Sequence, residues 1–267
     1  MKRVLLLLAA VCGVWSCSSE PEIGIVAHRG YWNCEEGGMS HNSLASLKAA
    51  CEHGFWGSEF DVNLTADNQL LVYHDSEIDG KKICEHNRAD FDSVRLPNGE
   101  AIPTLDEYLD VAVTYPKTKL VLELKPHEDE MQQQTAVEGI VASLKAHGLF
   151  TPERVMFISF SLNQCRLLAE AAPKFTVQYL DTDKDFETMK TSGVNGIDMH
   201  YKKFLADPNW NEGARANGFS VNVWTVNKEE QIRKCIEARV DQITTNEPEL
   251  LRTILAETEG VREARIR

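Results

Sequence analysis

The chain has 267 residues, of which 43% are hydrophobic and 26% charged. That balance can bury a core and excludes the low hydrophobicity and charge excess of a disordered protein. A formal net charge of -13 and a pI of about 5.1 exclude a basic surface that tracks phosphates, and with it nucleic-acid binding. Any phosphate chemistry must rest on a local site, where a metal ion would supply the positive charge that the whole molecule lacks.

The N-terminus reads Met1-Lys2-Arg3, then an apolar run over residues 4–14, then Trp15-Ser16-Cys17. A positive start and a short apolar run predict an export signal over residues 1–17, because the run is too short to span a bilayer. Ser16 before Cys17 is similar to a bacterial lipobox, which makes Cys17 the candidate lipidated residue; plain secretion with cleavage nearby is the alternative. The expected location is the bacterial cell envelope, as a periplasmic or surface lipoprotein held to the membrane by an N-terminal lipid anchor. Cys51 and Cys235 fall on helical patterns and read as buried thiols, whereas Cys34 and Cys84 lie in loops and are candidates for a disulfide.

From residue 23 onward strands and helices alternate. Residues 23–28 read as a strand and 43–51 as a helix closed by His53-Gly54. Residues 58–64 alternate with period two, Ala66-Asp67-Asn68 marks a turn, and 70–73 form another strand. The irregular stretch 76–101 reads as an inserted excursion that covers a barrel mouth. Pro103-Thr104-Leu105-Asp106-Glu107 opens a helix through 113; strand 120–124 and a long helix over 130–147, ended by Gly148, follow. The remaining strands are expected at 155–160, 176–180, 197–199, 221–225 and 242–244, with helices at 164–171, 186–189, 211–216, 229–238 and 249–255.

Repeated β then α predicts a parallel sheet. Nine strand-like runs exceed the eight of a barrel, and the surplus one belongs to the hairpin around Asp67-Asn68. An open doubly wound sheet is the alternative, but no Gly-rich dinucleotide loop follows the first strand. The fold expected is an α/β TIM-type (β/α)8 barrel with a small insertion after the third strand, as one domain over 22–267.

The informative polar residues stand at the carboxyl ends of strands: His28, His74 and Glu123. In such a barrel that face is where active sites are assembled. Glu59 and Asp61 are two apart on one strand and point to the same side, as do Glu123 and Lys125 on a later one. Three inward carboxylates repel one another, and a hard divalent cation relieves this; an all-oxygen set suits Mg²⁺ or Ca²⁺ better than Zn²⁺.

Ala27-His28-Arg29-Gly30, Asn42-Ser43-Leu44, Glu59-Phe60-Asp61-Val62-Asn63 and Val72-Tyr73-His74-Asp75 together resemble the glycerophosphodiester phosphodiesterase family. Leu122-Glu123-Leu124-Lys125, Val223-Trp224-Thr225-Val226-Asn227 and Ile243-Thr244-Thr245-Asn246-Glu247-Pro248 extend the resemblance over nearly the whole chain after the signal. It implies a metal-dependent enzyme that hydrolyses glycerophosphodiesters to an alcohol and sn-glycerol 3-phosphate. It implies Glu59, Asp61 and Glu123 as ligands of one Mg²⁺ or Ca²⁺ and His28 and His74 as the acid and base. It also implies Arg29 and Lys125 as stabilisers of phosphate charge and Trp224 as a wall of the substrate pocket, although barrel-core packing is an equal reading of Trp224. The sequence departs from the family at Ser40-His41-Asn42-Ser43, where the family commonly has Pro-Glu-Asn-Thr, and after His74-Asp75, where an arginine is common. These departures bear on the alcohol. An inositol-containing phosphodiester or a lysophospholipid as substrate, or a non-catalytic head-group-binding lipoprotein, are the competing readings.

Overall fold

The computed structural model describes residues 23–266, and side chains through 258. The export signal and Cys17 lie outside the described residues.

Eight parallel strands close on themselves. They are β1 (Gly24–Ala27), β2 (Gly57–Leu64), β6 (Lys119–Leu124), β7 (Val155–Ser159), β8 (Thr176–Tyr179), β9 (Gly196–His200), β10 (Ser220–Trp224) and β11 (Gln242–Thr245). Closure is made by β1, which pairs with β11 on one side, Val26 opposite Thr244, and with β2 on the other, Val26 opposite Gly57. The expected barrel is therefore present. The surplus strand is β3 (Leu70–Val72), which returns antiparallel against β2 with Val62 opposite Val72.

Period-two alternation gives every barrel strand two different faces. On β2, Phe60, Val62 and Leu64 join the apolar layer under the helices, and Glu59 and Asp61 face the other way, into the barrel. On β6, Leu120, Leu122 and Leu124 face the helices while Val121 packs inside with Val26, Met156, Ile158 and Leu180. In register Val121 stands opposite Glu59 and Ile158 opposite Glu123, so this apolar interior borders the carboxylates directly.

The outer layer consists of α1 (Leu44–Glu52), α2 (Leu105–Ala112), α3 (Glu130–Ala146), α4 (Leu162–Ala171), α5 (Phe186–Thr191), α6 (Tyr201–Ala206), α7 (Asn209–Asn217), α8 (Glu229–Glu237) and α9 (Pro248–Ile266). Several start on side-chain caps. At α2 Thr104 Oγ1 accepts from the Glu107 amide at 3.2 Å while Glu107 Oε2 accepts from the Thr104 amide at 2.7 Å. The short α6, which the periodicity does not announce, follows β9 directly, with the His200 side chain accepting from the Lys202 amide.

The excursion after β3 contains a two-stranded ribbon, β4 (Glu77–Ile78) with β5 (Lys81–Lys82), and two 3-10 turns at Ile83–Glu85 and Arg88–Phe91. Its apolar side chains form a separate small core: Ile78, Ile83, Phe91, Leu96 and Ile102 pack on Leu71 of β3. Cys34 and Cys84 are both free thiols, which corrects the suggested disulfide. Cys34 Sγ is instead engaged within its own loop, with the Tyr31 carbonyl and the Gly37 amide.

Candidate active site

The carboxyl ends of β1, β2, β3 and β6 bring together all the residues the sequence places at the site except Trp224, which arrives from β10. Glu59, Asp61 and Glu123 each offer a carboxylate oxygen within 4.8 Å of the others, the only such group of three metal-ligating side chains among the described residues. All three are buried, Asp61 to 1% exposure. Glu59 Oε1 is buried with no hydrogen-bond partner, an unusual state for a carboxylate unless a ligand completes it. This donor set fits a hard divalent cation.

Two cations already work against the repulsion. Lys125 Nζ lies 2.6 Å from Glu123 Oε1 and 3.2 Å from Asp61 Oδ1, and Arg29 Nε lies 3.6 Å from Asp61 Oδ2. Burial pushes the Asp61 carboxyl upward, but Lys125, His74, Asn42 and Arg29 outweigh it and hold the group below the usual carboxylate range. Glu59 is held well above that range by burial and by the charges of Asp61 and Glu123. Glu123 rises to about 7, from burial first and Asp61 second, with Lys125 opposing. The raised Glu59 and Glu123 carboxyls show that Lys125 and Arg29 do not fully offset the repulsion, and a bound cation would act in the direction that is lacking.

The backbone around His28 is unusual. Arg29 and Gly30 have φ of 58° and 77°, so the chain turns sharply out of β1. In this turn the Arg29 amide donates to Glu59 Oε2 at 2.7 Å and the Gly30 amide to the Glu59 carbonyl at 3.0 Å. A Cβ on Gly30 would lie 2.4 Å from Ser46 Oγ, so glycine is required on both counts.

His28 and His74 face the cluster from two sides. His28 Nδ1 is 2.8 Å from Asn246 Oδ1, an oxygen that also accepts from Trp32 Nε1 at 3.4 Å, and His28 Nε2 is 4.0 Å from Glu59 Oε2. Burial, then the neighbouring Arg29 charge, lowers the His28 pKa to about 4. His74 is half-exposed, and its Nδ1 is 2.6 Å from Asp75 Oδ1. Burial also lowers its pKa, with Asp61 opposing.

Two cavities meet at Arg29 and His74. The inner one, of about 150 Å³, runs over Glu59, Glu123 and Lys125 to an apolar wall of Ile158, Phe160, Leu180 and Trp224. The outer one, of about 340 Å³, lies between the loop carrying Trp32, Met39 and His41 and the excursion residues Val94, Arg95 and Leu96. Trp224 therefore forms a cavity wall and also packs, its ring edge-on to Phe160 and its Nε1 donating to the Asp198 carbonyl at 3.1 Å. His41 packs its ring edge-on to Trp32.

Three residues to which sequence reasoning gives no role complete the arrangement. Asn42 Nδ2 donates to Asp61 Oδ2 at 2.8 Å and its Oδ1 accepts from the Asp61 amide, fixing that carboxylate. Asn246 orients His28, and Asp198 enters the inner cavity from β9. Asn42 and Asn246 sit inside the recognisable motifs, which is the signal that could have found them.

The glycerophosphoryl diester phosphodiesterase family model matches residues 28–250. A glycerophosphodiester phosphodiesterase from Caldanaerobacter subterraneus is 29% identical over 241 residues, covering 85% of this chain and 95% of that protein. A crystal structure of a glycerophosphodiester phosphodiesterase from Parabacteroides distasonis superposes with a TM-score of 0.85 at 37% identity, covering 90% of this chain and 100% of the other. An Oleispira antarctica phosphodiesterase in complex with the product sn-glycerol-3-phosphate is 25% identical, with a TM-score of 0.74 over 87% of this chain and 96% of the other. With the barrel, the acidic triad and the two histidines in the matched region, the chain belongs to the glycerophosphoryl diester phosphodiesterase family.

Proposed function

We propose that this protein hydrolyses glycerophosphodiesters to an alcohol and sn-glycerol 3-phosphate with His28 and His74 as proton-transfer groups beside a divalent cation. The observation that carries the reading is the convergence of both histidines, Arg29 and Lys125 with Glu59 and Glu123 on one cavity at the barrel top. Glu59, Asp61 and Glu123 would hold Mg²⁺ or Ca²⁺, which when bound supplies Lewis-acid polarisation of a phosphoryl oxygen.

The partners of the histidines support one assignment of their roles. His28 Nδ1 donates to Asn246, which leaves Nε2 as a proton acceptor facing the cluster. His28 is the base: it takes the proton of the attacking hydroxyl, either water or the glycerol hydroxyl next to the phosphoester. His74, whose Nδ1 is paired with Asp75, is the acid. A P–O bond forms to the attacking oxygen, the P–O bond to the alcohol breaks, and His74 gives the departing oxygen its proton. Where the glycerol hydroxyl attacks, this leaves a cyclic phosphodiester, which water then opens to sn-glycerol 3-phosphate, His74 taking the water proton and His28 returning one to the ring oxygen that leaves. Arg29 and Lys125 offset the charge that develops on the phosphoryl oxygens.

The outer cavity next to His74 receives the departing alcohol. Hydrolysis of a panel with choline, ethanolamine, glycerol, inositol and lysophospholipid diesters, with and without divalent cation, tests the reading. Cation-dependent release of sn-glycerol 3-phosphate is expected. Binding without turnover under any cation would replace it with a head-group-binding protein. The single barrel domain belongs, in the same proposal, to an exported lipoprotein anchored through Cys17, whose mature N-terminal mass would carry the lipid. A free amine beyond Cys17 would overturn the anchor.

A further inference from the structure

The reaction proposed above leaves one buried acid in the same cavity unused. Asp198 projects from β9 into the barrel, 1% exposed, with Thr244 of β11 and Trp224 of β10 beside it in the cavity lining. Its Oδ1 is buried and has no hydrogen-bond partner. Asp198 is outside the metal-ligating triad. Its position is fixed from two sides: Trp224 Nε1 holds its carbonyl at 3.1 Å, and Asn222, which bears on its carboxyl, is itself held by Thr244 Oγ1 at 2.9 Å.

A buried polar atom without a partner is rare in folded proteins and is explained when a ligand supplies the missing bond. The inner cavity has an apolar wall of Ile158, Phe160, Leu180 and Trp224, and Asp198 with Thr244 forms a polar patch beside it. The complementary ligand is a short chain with carbon on one side and a hydroxyl at its end, joined to a phosphoryl group that reaches Arg29 and Lys125. The cavity, at about 150 Å³, suits a three-carbon arm better than a bulky alcohol, which has the outer cavity of about 340 Å³.

We propose that Asp198 is a specificity-determining residue of this site: its Oδ1 hydrogen-bonds a hydroxyl of the glycerol arm of the phosphodiester and selects for that arm. This rests on the phosphodiesterase reading and adds the side chain that recognises the arm. Burial, then the Glu123 charge, holds the Asp198 carboxyl well above the ordinary range, which permits it to serve as donor as well as acceptor without adding negative charge beside the phosphate.

The test compares cation-loaded wild-type protein with Asp198→Asn, which preserves shape, and Asp198→Ala, all confirmed as folded by thermal melting. Two substrates are used, glycerophosphoethanolamine and bis(4-nitrophenyl) phosphate, the second having no hydroxylated arm. Asp198→Ala is expected to raise KM for the glycerol diester about threefold to tenfold, the worth of one hydrogen bond, with kcat and the nitrophenyl KM little changed. Asp198→Asn, which keeps an acceptor, is expected to fall between. Calorimetric binding of sn-glycerol 3-phosphate should weaken by a similar factor while inorganic phosphate binds as before. Equal shifts for both substrates, or no shift, would overturn the proposal while leaving the phosphodiesterase reading intact. If no glycerophosphodiester is turned over by wild type, that reading fails and the calorimetric pair alone decides the role of Asp198.

Discussion

Glu59 Oε2 accepts its 2.7 Å hydrogen bond from the backbone amide of Arg29, not from its guanidinium. The side chain reaches the next carboxylate instead, with Nε 3.6 Å from Asp61 Oδ2. Arg29 thus fixes one acidic group by its main chain and offsets another by its charge. Arg29→Ala should keep Glu59 in place and keep cation affinity within a few-fold, yet lower kcat/KM by about 10²-fold, as loss of one charge-stabilising donor does. Steady-state kinetics alongside cation titration would separate the two effects.

The acidic triad should make the cation a folding ligand. At about 100 times its Kd a cation adds about 2.7 kcal/mol of stability. Removing one of the repelling groups should act in the same sense without any cation: Glu59→Gln should raise the melting temperature of chelator-treated protein by about 2–4 °C for each kcal/mol gained. The same variant should lose the cation-induced rise. Differential scanning calorimetry with and without chelator reads both.

His28→Ala and His74→Ala should each lower kcat by about 10²–10⁴-fold, the usual contribution of proton transfer. Their substrate dependence should differ. A nitrophenoxide leaves without a proton, so His74→Ala should be far less damaging with a nitrophenyl diester than with an alkyl one, whereas His28→Ala should harm both alike. The reverse pattern would exchange the roles of acid and base.

Gly30 tolerates no side chain. With φ of 77° and Ser46 Oγ 2.4 Å from a prospective Cβ, Gly30→Ala should cost about 2 kcal/mol or more and displace the turn that carries His28 and Arg29. Denaturant unfolding measures the cost, and activity should fall further than stability alone explains.

Asp198 supplies a pH dependence. Its folded-state carboxyl lies well above the unfolded value of 3.8, so over the interval between them the folded protein binds the proton and the unfolded chain does not. Stability contributed by this group is therefore present below 3.8 and declines as pH rises toward the folded value. Asp198→Asn should match wild type in acid and become progressively more stable than wild type toward neutral pH, as read from melting temperatures across that range.

Much of this arrangement is legible in sequence because period-two strands announce their own faces. Phe60 and Val62 alternate with Glu59 and Asp61, so alternation alone assigns the carboxylates to the barrel interior. The antiparallel β3 is foreseen because Asp67-Asn68 breaks the run, and Asn68 does take a positive φ of 61°. What escapes is what depends on distant partners. Asn246 orients His28 across 218 residues of sequence, a relation that no local pattern encodes. Asp198 lies in the short run Ile197–Met199 and reads as part of an apolar strand; a lone acid between apolar neighbours is its only mark. The six-residue α6 is too short for an apolar stripe, and the two-residue strands of the excursion have no periodicity to detect.

The excursion over the barrel mouth has its own small core, anchored to β3 through Leu71 and apart from the main layer under the helices. Its cohesion and that of the barrel are therefore two separate quantities. Hydrogen exchange in residues 78–102 should proceed by opening of this unit alone, at a free energy below that of global unfolding. The wall that Val94, Arg95 and Leu96 give the outer cavity can accordingly change composition, or part, at no expense to the strands that hold the acids and histidines. In the reaction proposed above, variation in what is released and constancy in how the bond is broken then fall to different pieces of the same chain.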